Sequence, residues 1–360
     1  MSALMQAAVC RAFGQPLVIE ERPIFMPGPG QVLIRVVASG VCHTDLHAVD
    51  GDWPVKPKLP LVPGHEGAGY VAAVGAGVRH VHEGDRVGVP WLHATCGHCE
   101  YCLTGREALC QHQLNTGYSV DGAFAEYLLA DAAFVGQLPD ALDFATAAPI
   151  LCAGVTTYKG IREADLRPGQ WLVVDGVGGL GHLAVQYARA MGLHVVAVDV
   201  NPAHLALARE LGAELTVNPA TEQDVGQVVQ RALGGGAHGA IVTAVAPSAF
   251  TQSVSMLRPG GTCVLVGLPP GSFPLPIFDV VLKRLTIRGS IVGTRFDLRE
   301  ALAIAAEGGI CAAVERQPLT AINDVFDRLR KGQVLGRAVL DVMPQSPVTA
   351  VVEEEAVMAM

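Results

Sequence analysis

Trp171–Asp199 reads WLVVDGVGGLGHLAVQYARAMGLHVVAVD, a short apolar run, a glycine turn, an amphipathic stretch and a second apolar run without interruption. Trp171–Val174 and His194–Val198 each have the length and apolar character of a strand buried on both faces. Between them lies Gly176-x-Gly178-x-x-Gly181. The first glycine permits a tight turn, the second lets backbone approach a pyrophosphate, and the third lets the following helix pack close to the strand. The helix begins with unpaired N–H groups and a positive dipole end aimed where phosphates would sit. Asp199 ends the second strand, where a carboxylate accepts from the adenosine ribose hydroxyls and repels a 2′-phosphate, so the pattern favours NAD over NADP.

A chain of 360 residues is long enough for two domains, since single cores stop growing near ~250–300 residues. Its formal net charge of −9 and lack of a Lys/Arg cluster argue against nucleic acid or an anionic membrane as partner. Residues 1–11 lack the pattern of a signal peptide, and no run of about 18 apolar residues could span a bilayer. A cytoplasmic protein is therefore expected, and its nine cysteines read as free thiols and metal ligands rather than disulfides. Only 16% of residues are charged and the mean hydropathy is +0.36, a balance that points to buried subunit interfaces.

Up to residue 153 the chain shows short alternating runs punctuated by Gly and Pro, such as Gln31–Val36 and Gly69–Val74, which predicts a mostly β domain. Residues 154–290 alternate apolar strands with helical patterns at Pro202–Leu211, Thr221–Leu233 and Pro247–Leu257. That alternation predicts an α/β fold with a doubly wound parallel sheet. Residues 291–342 give two amphipathic helices, near Asp297–Glu307 and Ile322–Lys331, and a strand near Arg337–Val342, all expected to return to the first domain. From residue 343 the chain has no periodicity and carries three adjacent glutamates, as a mobile tail would.

Cys96-x2-Cys99-x2-Cys102-x7-Cys110 places four thiols in one polar, Gly-containing loop. Such spacing closes a tetrahedral zinc site with no open position, hence a structural one. An iron–sulfur cluster would want a shorter last gap and a proline after the final cysteine, whereas Cys110 precedes Gln111. A second set is dispersed: Cys42, His65 and Cys152. Any one alone would be an ordinary core residue. Each, however, lies beside Gly or Pro near a strand end, and Asp45 and Glu66 are at hand as carboxylates behind the ligands. Two thiolates and one imidazole leave a fourth position for water or substrate, the catalytic arrangement.

The motifs GVCHTDLHAVDGDWP, LPLVPGHEG, the four-cysteine lobe, PILCAGVTTYKG, GVGGLG, GSIVGTR and GRAVLD together resemble the zinc-dependent alcohol dehydrogenases of the medium-chain dehydrogenase/reductase superfamily, and most of all their microbial NAD-dependent branch. The resemblance covers nearly the whole chain. It implies a GroES-like catalytic domain beside a Rossmann domain, NAD and two zinc ions per chain as cofactors, and a small alcohol or aldehyde as substrate. It places the catalytic zinc on Cys42, His65 and Cys152, the proton relay on Thr44 and His47, and the cofactor against His43, Thr156, Gly176, Gly178, Gly179, Leu180, Gly181, Asp199, Val266 and Arg337. Trp53 and Trp91 fall where this branch narrows the substrate pocket, and the short span between Cys110 and Cys152 implies a homotetramer. Small primary alcohols are then the expected substrates.

Two departures stand out. Asp175 precedes the glycine turn where this branch carries a small or apolar residue, and an acid so close to the pyrophosphate is expected to weaken cofactor binding. The acidic C-terminal extension also exceeds the usual length. Rival readings are a polyol, threonine or glutathione-adduct dehydrogenase with a wider pocket, a zinc-free quinone reductase, and a nucleotide-binding regulator without turnover. The complete Cys42, His65, Cys152 and Thr44 set opposes the last two, and the two tryptophans oppose the first.

Overall fold

The computed structural model describes residues 3–344, so the tail expected from residue 343 lies, after Pro344, outside the described residues. The chain divides into two units. One holds the chain up to Leu151, Arg316–Val334 and the chain from Ala338 on; the other holds Cys152–Glu315 and Leu335–Arg337. The return to the first unit comes at Arg316, later than the expected residue 291, because helix Arg295–Gly308 packs on helices Val155–Glu163 and Gly181–Ala190. That helix is held at its start by a reciprocal cap, in which Thr294 Oγ1 accepts from the Asp297 amide and Asp297 Oδ2 accepts from the Thr294 amide at 2.9 Å.

The second unit contains six parallel strands in the order Leu215–Val217, His194–Val198, Trp171–Asp175, Ala237–Val242, Leu257–Leu265 and Thr286–Gly289. Numbered along this unit, the order is 3-2-1-4-5-6, so the strand order reverses beside Trp171–Asp175, where ligands bind in such sheets. The strands are apolar on both faces because helices cover both. Val173, Val196, Val198, Ala240 and Val242 pack with Val225, Val229, Phe250 and Val254, all buried. Each fully buried Val or Phe contributes about 1.5–3 kcal/mol.

In the first unit the strand Gln31–Val41 is the spine of a seven-stranded sheet, pairing antiparallel with Gly67–Val74, Tyr127–Asp131 and Arg337–Asp341. The returning helix Ile322–Arg330 buries Val325 and Phe326 in a core with Val9, Val41 and Phe124. Among the described residues no helix is long and apolar enough to cross a membrane.

Candidate functional site

Strand pairing brings the first two expected ligands together. Ser39 lies opposite Gly67 in the antiparallel register, so Cys42, just past the end of one strand, and His65, just before the start of the other, fall at the same edge of the sheet. Cys42 then begins helix His43–Asp50, whose third residue is Asp45. The Asp45 carboxylate, 1% exposed, accepts from the Cys42 amide at 2.9 Å and from His65 Nδ1 at 2.7 Å. With Nδ1 so engaged, His65 Nε2 is the atom left for a metal. Burial alone would favour neutral His65, but Asp45 and Cys42 hold it well above its ordinary value. The third expected ligand, Cys152, comes from Ile150–Gly154, one widened π turn that follows a helix ending in Pro149. Such turns occur mostly at functional sites. Donor atoms of Cys42, His65, Cys152 and Glu66 all lie within 4.8 Å of one another. Glu66, expected behind the ligands, thus offers an oxygen within the same cluster. Two sulfurs, one imidazole and one carboxylate fit zinc chemically. Gly40 makes room for this acid: a Cβ there would stand 1.9 Å from Glu66 Oε2.

The four-cysteine lobe folds as its spacing requires. Cys96 follows strand Leu92–Ala94, Cys99 caps and Cys102 lies within the short helix Glu100–Leu103, and Cys110 follows the turn Glu107–Leu109. The four sulfurs lie within 4.8 Å of one another, a pure thiolate set suited to tetrahedral zinc. The His98 amide draws the Cys96 thiol down to about 6.

Thr44 and His47 stand three residues apart, on one face of helix His43–Asp50. His47 Nδ1 lies 3.0 Å from both oxygens of Asp52, and its ring stacks on Trp53 at 5.2 Å. Trp53 meets Trp91 edge-on at 6.2 Å, and Trp91 meets His65 edge-on at 5.3 Å. The structure therefore joins the expected relay histidine, the two tryptophans and an expected metal ligand in one contiguous group. It adds two residues that sequence reading missed. Asp52 follows the left-handed Gly51 that ends the helix, a turn that brings its carboxylate back to His47. Tyr118 packs against Trp53 at 5.5 Å and Trp91 at 5.6 Å, while its hydroxyl donates to the Val55 carbonyl. Nothing local in GYSVDG marks that role. His43 is exposed, and Thr156 is buried in the first turn of helix Val155–Glu163.

The glycine turn meets the demands of a dinucleotide. Gly176 has φ of +94°, open to glycine at no steric cost. A Cβ on Gly181 would stand 1.8 Å from the Gly176 carbonyl oxygen, whereas one on Gly178 would meet nothing within 4 Å. Helix packing needs the one, and backbone approach by a phosphate uses the space at the other. A Cβ on Gly179 would lie 3.1 Å from Arg337 Cδ, so the expected guanidinium lies over the turn. Leu180 precedes the first helical residue, and Val266 follows strand Leu257–Leu265, buried. Asp199 accepts from the Val177 amide at 2.7 Å, the Asn201 amide at 2.8 Å and His204 at 3.1 Å. Burial would raise this carboxyl, but His204 and the two amides outweigh it and hold it below its ordinary value. It is thus an anion at neutral pH. Asp175, the acid expected to weaken cofactor binding, is 3% exposed, and its carboxyl accepts from Ser253 Oγ at 2.8 Å and Gln252 Nε2 at 3.2 Å.

Comparison with known proteins agrees with this geometry. Residues 28–140 match the family described as alcohol dehydrogenase GroES-like domain, and residues 179–307 match zinc-binding dehydrogenase. An alcohol dehydrogenase of Rhizobium meliloti (strain 1021) is 60% identical over 337 residues, covering 94% of this chain and 98% of that one. The crystal structure of the alcohol dehydrogenase from the archaeon Aeropyrum pernix superposes with a TM-score of 0.85 at 35% identity, covering 94% of this chain and all of that one. The acetophenone reductase of Geotrichum candidum, solved with NAD, gives 0.83 at 30% identity over 95% of this chain and 98% of that one. Ligand set, glycine turn and relatives converge, and the chain belongs to the zinc-dependent alcohol dehydrogenases of the medium-chain dehydrogenase/reductase superfamily.

Proposed function

We propose that the chain oxidises small primary alcohols to aldehydes, reversibly, with NAD, using Cys42, His65 and Cys152 to hold a catalytic zinc and Cys96, Cys99, Cys102 and Cys110 to hold a structural one. The observation that carries this reading is the buried donor cluster of Cys42, His65, Glu66 and Cys152 with Trp91 edge-on to its histidine. When bound, zinc supplies Lewis acidity at the alcohol oxygen and NAD accepts the hydride. The protein's part is placement. Asp45 fixes the His65 tautomer and its ring plane, and Glu66 stands beside the ligands. Thr44 Oγ1 takes the proton of the alcohol as it passes its own on toward His47. His47, three residues on and half exposed, carries a proton toward water, with Asp52 steadying Nδ1. Trp53, Trp91 and Tyr118 present apolar faces that bury methylenes at about 0.8 kcal/mol each.

Asp199 anchors the adenosine ribose, Gly176–Gly181 with Arg337 the pyrophosphate, and His43, Thr156 and Val266 line the remainder. A homotetramer in the cytoplasm completes the proposal. Its support is a strip on helix Ile277–Leu282, where Ile277, Phe278, Val281 and Leu282 are 78%, 80%, 64% and 75% exposed in the single chain, followed by edge strand Thr286–Gly289. Apolar strips and open sheet edges of this kind are normally covered. A panel of linear, branched and polyol substrates with NAD and NADP tests the reading. A preference for polyols, or for NADP, would overturn it.

A further inference from the structure

His182, the residue after the last motif glycine, is 0% exposed and lies wholly within the second unit. Its two ring nitrogens have different partners. Nδ1 lies 3.0 Å from the Gly178 carbonyl oxygen, which can only accept, and Nε2 lies 3.2 Å from the Ala313 amide, which can only donate. The imidazole is therefore neutral with its hydrogen on Nδ1. Burial, reinforced by the positive charges of Arg337 and His204, holds it down to about 4, so it keeps this form at neutral pH.

Each partner leads to the place reserved for the pyrophosphate. The Gly178 carbonyl also receives the His182 amide at 3.2 Å, so two donors fix its direction toward the helix. A trans peptide is planar with C=O and N–H opposed, so the Gly179 N–H on that same peptide points away from the helix. On the other side, the Ala313 carbonyl accepts from the Arg337 amide at 2.8 Å. Gly336 packs so tightly there that a Cβ would stand 2.3 Å from that oxygen. Arg337 in turn lies over Gly179, its Cδ 3.1 Å and its Nη1 3.3 Å from where a Cβ would be. Gly178, His182, Ala313, Arg337 and Gly179 thus form a closed ring.

We propose that His182 is a positioning residue for the dinucleotide: one neutral imidazole holds both the glycine turn and the segment that carries Arg337, and so sets the Gly179 N–H and the guanidinium for the same pyrophosphate. The inference rests on the cofactor site proposed above. An apolar residue of similar size would fill the space but leave the half-buried Ala313 amide without the acceptor it has in the native chain.

The test uses the full zinc-loaded chain and measures the NADH dissociation constant by fluorescence titration, the melting temperature, and kcat and KM for NAD. His182→Leu is expected to weaken NADH binding and raise KM for NAD about tenfold while kcat at saturation stays within about twofold. His182→Gln, whose amide can serve one partner as donor and the other as acceptor, is expected to recover most of that loss. Unchanged NADH affinity in His182→Leu overturns the proposal. So does a parallel fall of kcat and affinity that Gln does not relieve, which is the mark of a side chain that merely fills the core. Where His182→Leu fails to fold, His182→Asn replaces it: too short to reach Ala313, it must bind NADH more weakly than Gln, and equal binding overturns the proposal. Arg337→Ala and Asp199→Gly separate the two readings. If neither alters NADH affinity, the cofactor site itself is misplaced and the role of His182 falls with it; if both weaken binding and His182→Leu does not, only the role of His182 falls.

Discussion

Asp45 holds His65 Nδ1 at 2.7 Å with one oxygen and the Cys42 amide at 2.9 Å with the other, so one buried carboxylate orients two of the proposed metal ligands, which lie at the ends of different strands. Asp45→Asn keeps the volume but gives up the charge and one acceptor. Loss of such support costs about 10- to 100-fold in metal affinity or activity. The variant should hold close to one zinc per chain after mild chelation, where wild type holds two, and kcat/KM should fall within that range. Elemental analysis beside kinetics checks this, and full retention of both metals with full activity would refute the role.

The two proposed zinc ions should separate by what their loss does. Cys152→Ser is expected to abolish turnover with little change in melting temperature, because the fold around it does not depend on that ligand alone. Cys99→Ser is expected to lower the melting temperature markedly, since a lobe of this size has little core and gains its folding free energy from the metal. Thermal melts and metal content of the two variants decide the matter. Identical behaviour would merge the two roles.

Legibility in the sequence followed the range of each interaction. The parallel sheet was readable because Trp171–Asp199 carries strand, turn, helix and strand in one run. The zinc lobe was readable because its four ligands are contiguous. The crossing at Arg316 was not, since helix Arg295–Gly308 is amphipathic and would suit either unit; its packing on Val155–Glu163 is what assigns it. Tyr118 and His204 escaped for the same reason. Their partners, Trp53 and Trp91 in one case and Asp199 in the other, are set by loop paths that no periodicity encodes. Asp175 is visible in the sequence but its hydrogen-bond partners are not, because a strand-end side chain can face either side of the turn, and here Ser253 and Gln252 supply the hydrogen bonds.

Asp175 also gives stability a pH dependence. Burial pushes its carboxyl up to about 7 against the hydrogen bonds from Ser253 and Gln252, whereas an unfolded Asp titrates near 3.9. Between roughly pH 4 and 7 the folded state therefore binds more protons than the unfolded one. Stability from this group falls as pH rises through that window, and the penalty is complete above about 7. Asp175→Asn keeps an acceptor for both donors and cannot ionise. Its gain over wild type should be up to about 4 kcal/mol at pH 8 and should shrink to about a third of that at pH 5. Melting temperatures at the two pH values check this, and an equal gain at both would remove titration as the cause.

Pocket shape is the last inference to be tested, and three rings bear on it. Trp53, Trp91 and Tyr118 pack mutually at 5.5–6.2 Å, and Trp91 stands edge-on to His65, a proposed metal ligand. A linear alcohol places one chain of methylenes along such a wall, while a secondary or branched alcohol must seat a second substituent where an indole already lies. Overpacking of that kind costs roughly 1–3 kcal/mol, or about ten- to hundred-fold in rate. Trp53→Ala and Trp91→Ala should therefore shift kcat/KM from 1-propanol toward cyclohexanol or benzyl alcohol in at least one case. Trp53→Ala should also disturb proton transfer, because His47 loses the ring on which it stacks at 5.2 Å; its pH profile should move while that of Trp91→Ala does not. Tyr118→Phe removes the hydroxyl that ties this wall to the Val55 carbonyl but leaves the ring, and so should loosen selectivity with a smaller loss on propanol than either truncation. A uniform loss on every alcohol in both tryptophan variants would return the three rings to a purely structural role and leave substrate size to be set elsewhere.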